Sequence, residues 1–302
     1  MANHPVRVTI LVDNTAGGRE LLGEHGLAFW IQWGPNRVLF DTGQGRMLRS
    51  NAYSLRAPLA ETDAVVLSHG HYDHTGGLEL VLQSAPGAAV YAHPAAFAAK
   101  YGRRDDGTCR HIGSPLSEEQ VRRRANRWIR TTEPAEVCPG LFVTGPIPRT
   151  TDFEDTGGPF FLDEGCQKSD PLVDDQAIFF EAVRGTVVLL GCAHAGVINT
   201  LRHVRELTAG RAMHAVLGGM HLRSASPDRL SRTIAALREV DIDRLGPTHC
   251  TGMLAWAQMW AAFPERCLPC RVGTTVTFDV SSDHAEGPRS QGQASRRDGA
   301  LS

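Results

Sequence analysis

His69, His71, Asp73 and His74 fall within six residues, in the stretch Leu67-Ser68-His69-Gly70-His71-Tyr72-Asp73-His74-Thr75-Gly76-Gly77. Imidazole nitrogen and carboxylate oxygen at this density suit divalent cations, zinc first, with manganese and iron also matched. Without an ion, each such group buried and left unpaired costs about 1–3 kcal/mol. Alternate residues of an extended segment share a face, which puts His69, His71 and Asp73 on one side. His74 then opens the next helix and turns toward a neighbouring point, so the cluster can serve two ions.

Elements must deliver these side chains to one place. His69 follows the apolar run Ala64–Leu67, His194 follows 186–193, His221 follows 214–220, and His249 follows 243–248. Each sits just beyond a strand-like run, with Gly or Pro nearby. In open α/β sheets, ligands gather beyond the carboxyl ends of strands.

Upstream, residues 6–12 read as a β-branched strand, and 27–43 as a hairpin turning at Gly34-Pro35-Asn36. Residues 76–87 read as a short helix stopped by Pro-Gly, and 88–94 as a strand. Residues 100–135 form a polar, basic insertion in which Ser117-Glu118-Glu119-Gln120 is a capping box. Residues 151–174 read as a long, Gly- and Asp-rich loop. From 176 to 250 strands alternate with helices, which predicts an α/β protein. The globular part is expected over 1–280, with a disordered C-terminal tail over 281–302.

The motif HGHYDH after a strand, with VLFDTG upstream, resembles the metallo-β-lactamase superfamily. The strings LLGCAHAGVINTL, GGMHL and PTHCTG resemble its branch of dihydropteroate-synthase-like hydrolases and 7,8-dihydropterin-6-methyl-4-(ribofuranosyl)aminobenzene-5′-phosphate synthases. The resemblance implies an αββα four-layer sandwich with a dinuclear centre. It implies His69 and His71 on one metal, Asp73 and His74 on the other, and His249 as the last histidine ligand. Asp41 matches an aspartate that orients ligands without binding metal. The chain departs from the superfamily pattern in the middle. Asp174-Asp175 stands where many members carry a hairpin histidine, and Gly191-Cys192 where a bridging aspartate is usual. His194 is expected to supply the missing imidazole, with Cys192, Asp175 and His221 as candidates for the remaining contact.

Two divalent ions in such a centre predict a hydrolase that uses metal-bound hydroxide on a small phosphorylated, lactone or heterocyclic substrate. Asp73 would orient the nucleophile, and His221 would be a ligand or hand a proton to the leaving group. Arg103, Arg104, Arg110 and His111 are candidates to hold a phosphate or carboxylate. Trp30, Trp33 and Trp128 are core residues or stacking partners for a flat heterocycle. The alternatives are a pterin-linked synthase that forms a C–N bond and releases pyrophosphate, a di-iron centre, and an inactive binding module, which would have lost its ligands.

The formal net charge of −2 offers no field to gather a polyanion, so nucleic acid is not an expected partner. No apolar run approaches the roughly 20 residues of a membrane span, and the N-terminus lacks a signal-peptide pattern. A cytoplasmic protein acting on a small molecule is expected, and a homodimer is compatible with the sequence. Seven irregularly spaced cysteines do not make a disulfide framework. Cys267 and Cys270 form a lone CxxC, a weak zinc or redox signal against plain half-buried thiols.

Overall fold

The computed structural model describes residues 5–280; the tail expected over 281–302 lies outside the described residues. The first half runs β1 (Val6–Val12), β2 (Ala28–Trp33), β3 (Asn36–Phe40), α1 (Leu48–Ser54), β4 (Ala64–Val66), α2 (Tyr72–Thr75), α3 (Leu78–Ser84) and β5 (Ala89–Ala92). Next come β6 (Tyr101–Arg103), β7 (Cys109–His111), α4 (Glu118–Arg124), β8 (Arg127–Arg130), β9 (Ala135–Cys138), β10 (Leu141–Val143) and β11 (Phe160–Phe161). The second half is β12 (Ala177–Ala182), β13 (Gly185–Leu190), α5 (Val197–Leu207), β14 (Met213–Gly219), α6 (Pro227–Val240), β15 (Arg244–Thr248), α7 (Met253–Ala262) and β16 (Thr275–Phe278).

Two large sheets pack face to face. One has the order β16-β1-β2-β3-β4-β5-β8 and the other β15-β14-β13-β12-β10-β9. Strand alternation divides the apolar residues between layers. Phe29, Ile31, Val38 and Phe40 join Ile178, Phe180 and Leu189 between the sheets. Ala28, Trp30 and Leu39 face the opposite way and pack with Leu48, Leu78 and Val121, which line the inner faces of α1, α3 and α4. On the other side Val188 and Val216 pack under Leu201, Ile234 and Met259 of α5, α6 and α7. The result is the αββα sandwich that the resemblance implied.

β3, β4, β5 and β8 run parallel, as do β13, β14 and β15. The four strand ends singled out in the sequence belong to these parallel sets, so their carboxyl ends share one edge of the sandwich. Part of the segment read as a polar insertion is β8, which closes one sheet edge against β5. Two further strands of that segment, β6 and β7, join β11 in a separate three-stranded sheet, a flap, while α4 packs on the core.

The capping box is formed as the sequence predicts. Ser117 Oγ accepts from Gln120 N, and Gln120 Oε1 accepts from Ser117 N. Ser117→Ala is expected to lower stability by about 1 kcal/mol, read from urea unfolding; an unchanged midpoint would show that α4 is held by its packing alone.

A disulfide, Cys109–Cys166, ties β7 to the loop after β11. The sequence reading missed it, because the pair is 57 residues apart and has no local signature. Cys267 and Cys270 are buried in different layers, in line with plain thiols. Trp30 is core, Trp33 packs edge-on against Phe180, and Trp128 against Phe97.

Candidate metal centre

Beyond β4 the chain bends at Ser68, His69 and Gly70, and an extended His71 caps the turn into α2 at Tyr72. A bridge from His71 to Gly113 and a hydrogen bond from Tyr72 N to Ile112 O fix that corner. This corrects the expectation that His69, His71 and Asp73 share a face. The helical turn swings Asp73 away from the first two histidines and toward His74 and His249.

Two groups of donors result. His69, His71 and His194 bring one ligand atom each within 4.8 Å of one another. Asp73 Oδ2 lies 3.8 Å from His74 Nε2 and 3.5 Å from His249 Nε2. The structure thus brings His194 beside His69 and His71, and His249 beside Asp73 and His74. Cys192 Sγ is 3.1 Å from His74 Nε2 and stands between the two groups, close to His69 as well. Asp175 is not among these donors. Its Oδ2 accepts from Ala195 N at 2.6 Å, and it buttresses the loop that carries His194.

Partners set the imidazole tautomers. His74 Nδ1 donates to Asp41 Oδ2 at 2.6 Å. Asp41 also accepts from Ser68 N and Ser68 Oγ, so it fixes the His74 ring and the Ser68 corner together. With its hydroxyl committed to Asp41, Ser68 Oγ accepts from His69 Nδ1 at 2.9 Å. His194 Nδ1 donates to Thr156 O, and His249 Nδ1 to Asn14 Oδ1. Each of these four rings is left with a bare Nε2 lone pair aimed inward.

The consequence is a set of acceptors facing acceptors. His74 Nε2 and His249 Nε2 are 3.2 Å apart, with both Nδ1 hydrogens already used. His71 Nδ1 donates to His69 Nε2 at 3.0 Å, and among the described residues His71 Nε2 and His194 Nε2 are buried with no hydrogen-bond partner. A cation placed among these atoms satisfies them together, so the donor set fits divalent metal.

Electrostatics agree at the histidine-only group, whereas at His74 burial is outweighed by Asp41 and Asp73, which raise its pKa. Burial pushes His69 and His194 well below the ordinary histidine range, and His71 down to about 3, leaving neutral rings. Burial opposes ionisation of Asp73, but His74, His249 and His25 beside it hold its carboxyl well below the usual range. Burial pushes Asp175 up to about 7 and His221 down to about 4.

Backbone strain gathers here too. Asp41, Ala193, His221 and His249 all have positive φ, at 60°, 53°, 43° and 50°.

A cleft of about 300 Å³ opens over the donors. Arg103, Arg104 and Arg110 line it, while His111 turns its ring onto Tyr101 and does not. Phe160, from the flap, packs against His71, His194 and His221. Sequence reasoning did not single out three groups. His25 holds Asp73 Oδ2 at 3.1 Å from a loop with no strand-end signal. Cys250 was hidden beside His249. Lys100 and Asp170 close a buried network on Asp174, itself already marked in the sequence.

The model of the metallo-beta-lactamase superfamily matches residues 23–249, and the chain belongs to that superfamily. Among its relatives is the 7,8-dihydropterin-6-methyl-4-(beta-D-ribofuranosyl)-aminobenzene-5′-phosphate synthase of Methanocaldococcus jannaschii. The two are 26% identical over 90% of this chain and 97% of the relative. The protein MJ0448 of the same organism is 31% identical over 83% of this chain and 93% of its own length. Among solved structures, Tm1679, a metal-dependent hydrolase of the beta-lactamase superfamily, superposes with a TM-score of 0.76 at 27% identity, over 90% of this chain and 98% of the other. Among the described residues no helix is long and apolar enough to cross a membrane.

Proposed function

We propose that this protein is a metal-dependent hydrolase of a small anionic substrate, a phosphoester first. His69, His71 and His194 would hold one divalent ion, and Asp73, His74 and His249 a second, zinc by preference. The observation that carries this reading is the pair of Nε2 lone pairs of His74 and His249 facing each other at 3.2 Å. The ions would supply Lewis acidity and a water made acidic enough to ionise near neutral pH. Asp73, which lines the cleft, would orient that water by accepting its hydrogen. Of the two roles open to His221, its partnerless Nδ1 favours donating to a cation over passing a proton. The flap supplies binding. Arg103 lies over the Phe161 ring and donates to Cys166 O, and Arg110 lies over Tyr72, so both guanidinium groups are held at the cleft.

The Methanocaldococcus jannaschii relative supports a second reading, synthesis of a C–N bond with release of pyrophosphate. The same cations and guanidinium groups would serve it. The two separate in one experiment: incubation with phosphoesters, lactones and pterin diphosphates in ¹⁸O-labelled water, with product masses recorded. Label in the product supports hydrolysis. An unlabelled adduct with an added amine, together with free pyrophosphate, supports the synthase. Arg103→Ala and Arg110→Ala are each expected to raise KM for a phosphorylated substrate about tenfold, the effect of losing roughly 1.4 kcal/mol of binding, with kcat nearly unchanged. Unchanged KM in both would remove the arginines from the binding site.

A further inference from the structure

Cys192, His221 and Cys250 bring one donor atom each within 4.8 Å of one another. Their origin is regular: each is the second residue past the end of β13, β14 or β15, three neighbouring parallel strands. The sheet therefore aims two sulphurs and an imidazole at one point by the same geometry that gathers the histidines.

The point is moulded around those atoms. A Cβ on Gly219 would lie 2.6 Å from Cys250 Sγ, and a Cβ on Gly157, whose φ is +83°, would lie 2.0 Å from His221 Nδ1. Neither sulphur nor ring could occupy its place beside any larger residue. Among the described residues, His221 Nδ1 is buried with no hydrogen-bond partner. Cys250 Sγ accepts from His221 N at 3.3 Å and donates to Cys192 O at 3.7 Å, both weak contacts. All three residues line the cleft, so an ion has a way in. Two thiols and one imidazole are soft to borderline donors. They select thiophilic cations and discriminate against manganese and magnesium.

We propose that Cys192, His221 and Cys250 form a third cation position, sulphur-rich and contiguous with the histidine–aspartate centre, that takes a thiophilic ion such as zinc, cadmium or copper(I). The position goes beyond the two-metal reading and adjoins that centre through Cys192, 3.1 Å from His74 Nε2, and through the His221 ring, 4.3 Å from that of His194. Ion binding there replaces the two thiol protons, which pass to solvent. It also places positive charge against the wall of the cleft, beside the ring of Phe160, which lies 5.8 Å from that of His221.

Cadmium alone is a sufficient probe. The protein, stripped of metal, is saturated with Cd²⁺ or with Mn²⁺ and washed, and bound metal is counted by mass spectrometry while the thiolate–cadmium absorption is recorded. The expected result is three equivalents of cadmium with a strong thiolate band, but only two of manganese. Cys250→Ser and His221→Ala are each expected to retain two equivalents of cadmium, and Cys250→Ser to weaken the band. Two equivalents in the wild type with no thiolate band would overturn the third position and leave the two-metal centre standing. Three equivalents that survive in both variants would place the extra ion elsewhere and overturn it too. Fewer than two in the wild type would overturn the two-metal reading itself, and a missing band in that sample would overturn the third position with it. The wild-type count and band decide the matter even if a variant fails to fold.

Discussion

Lys100→Met is expected to lower stability by about 3–5 kcal/mol, the range for breaking a buried ion pair by removing one partner. Lys100 is 1% exposed. Its Nζ lies 2.8 Å from Asp170 and 2.9 Å from Asp174, whose side chains are also buried. Methionine fills the space but leaves two carboxylates without a counter-charge. The damage reaches the metal centre by one step. Asp174 Oδ2 accepts from the N–H of Gly70, the residue between His69 and His71. The variant should therefore unfold at lower urea and also lose occupancy at the His69/His71/His194 position. pH gives a further check. Burial disfavours charge on Lys100, but Asp174 and Asp170 outweigh it and raise its pKa above 10.5. A raised folded-state pKa means that this stabilisation is fully present below 10.5 and lost only as pH climbs through the folded value. The gap between wild type and variant should hold from neutrality to about pH 10 and narrow above it. Equal urea midpoints at pH 7 would contradict the network's importance.

Asp41→Ala should have a comparable effect, about 3–5 kcal/mol, or a fall in Tm of roughly 10 °C at 2–4 °C per kcal/mol. Asp41 is wholly buried and accepts from Ser68 N at 2.7 Å, Ser68 Oγ at 2.6 Å and His74 Nδ1 at 2.6 Å. Its removal leaves those donors stranded and frees the His74 ring to adopt the other tautomer. The expected outcome is a destabilised protein that keeps the histidine-only position better than the Asp73/His74/His249 position. Asp41→Asn should restore part of the stability through its carbonyl, and less of the second metal. Calorimetry and metal counting together separate these effects. Full metal content in Asp41→Ala would show that the ligands need no orientation from it.

Much of this was legible because it is local. The alternation of Phe29, Trp30 and Ile31 told the two faces of β2 apart, and the glycine-bounded ends of four apolar runs marked His69, His194, His221 and His249. The αββα architecture came from the resemblance. What escaped the sequence is what depends on distant partners. Asp73 changes face because Ile112, forty residues away, holds the Tyr72 N–H and starts a helix there. Asp175, adjacent to Asp174, turns to the Ala195 N–H and leaves the donor set. His25 carries no pattern of its own, Cys250 shows its strand-end offset only once the strand boundaries are known, and Lys100 meets Asp170 and Asp174 only through the fold.

The central claim is that two divalent ions share the buried histidine–aspartate cluster. Metal content of wild type and His194→Ala, purified without added metal and assayed by mass spectrometry after equilibration with Zn²⁺ or Mn²⁺, tests it most directly. With Mn²⁺, which the sulphur-rich position excludes, the account predicts about two equivalents in the wild type and one or fewer in the variant, with both proteins folded. With Zn²⁺ the wild type should hold at least two, and the variant one fewer. A wild type that binds neither metal, or a His194→Ala protein that keeps the full complement, would contradict it.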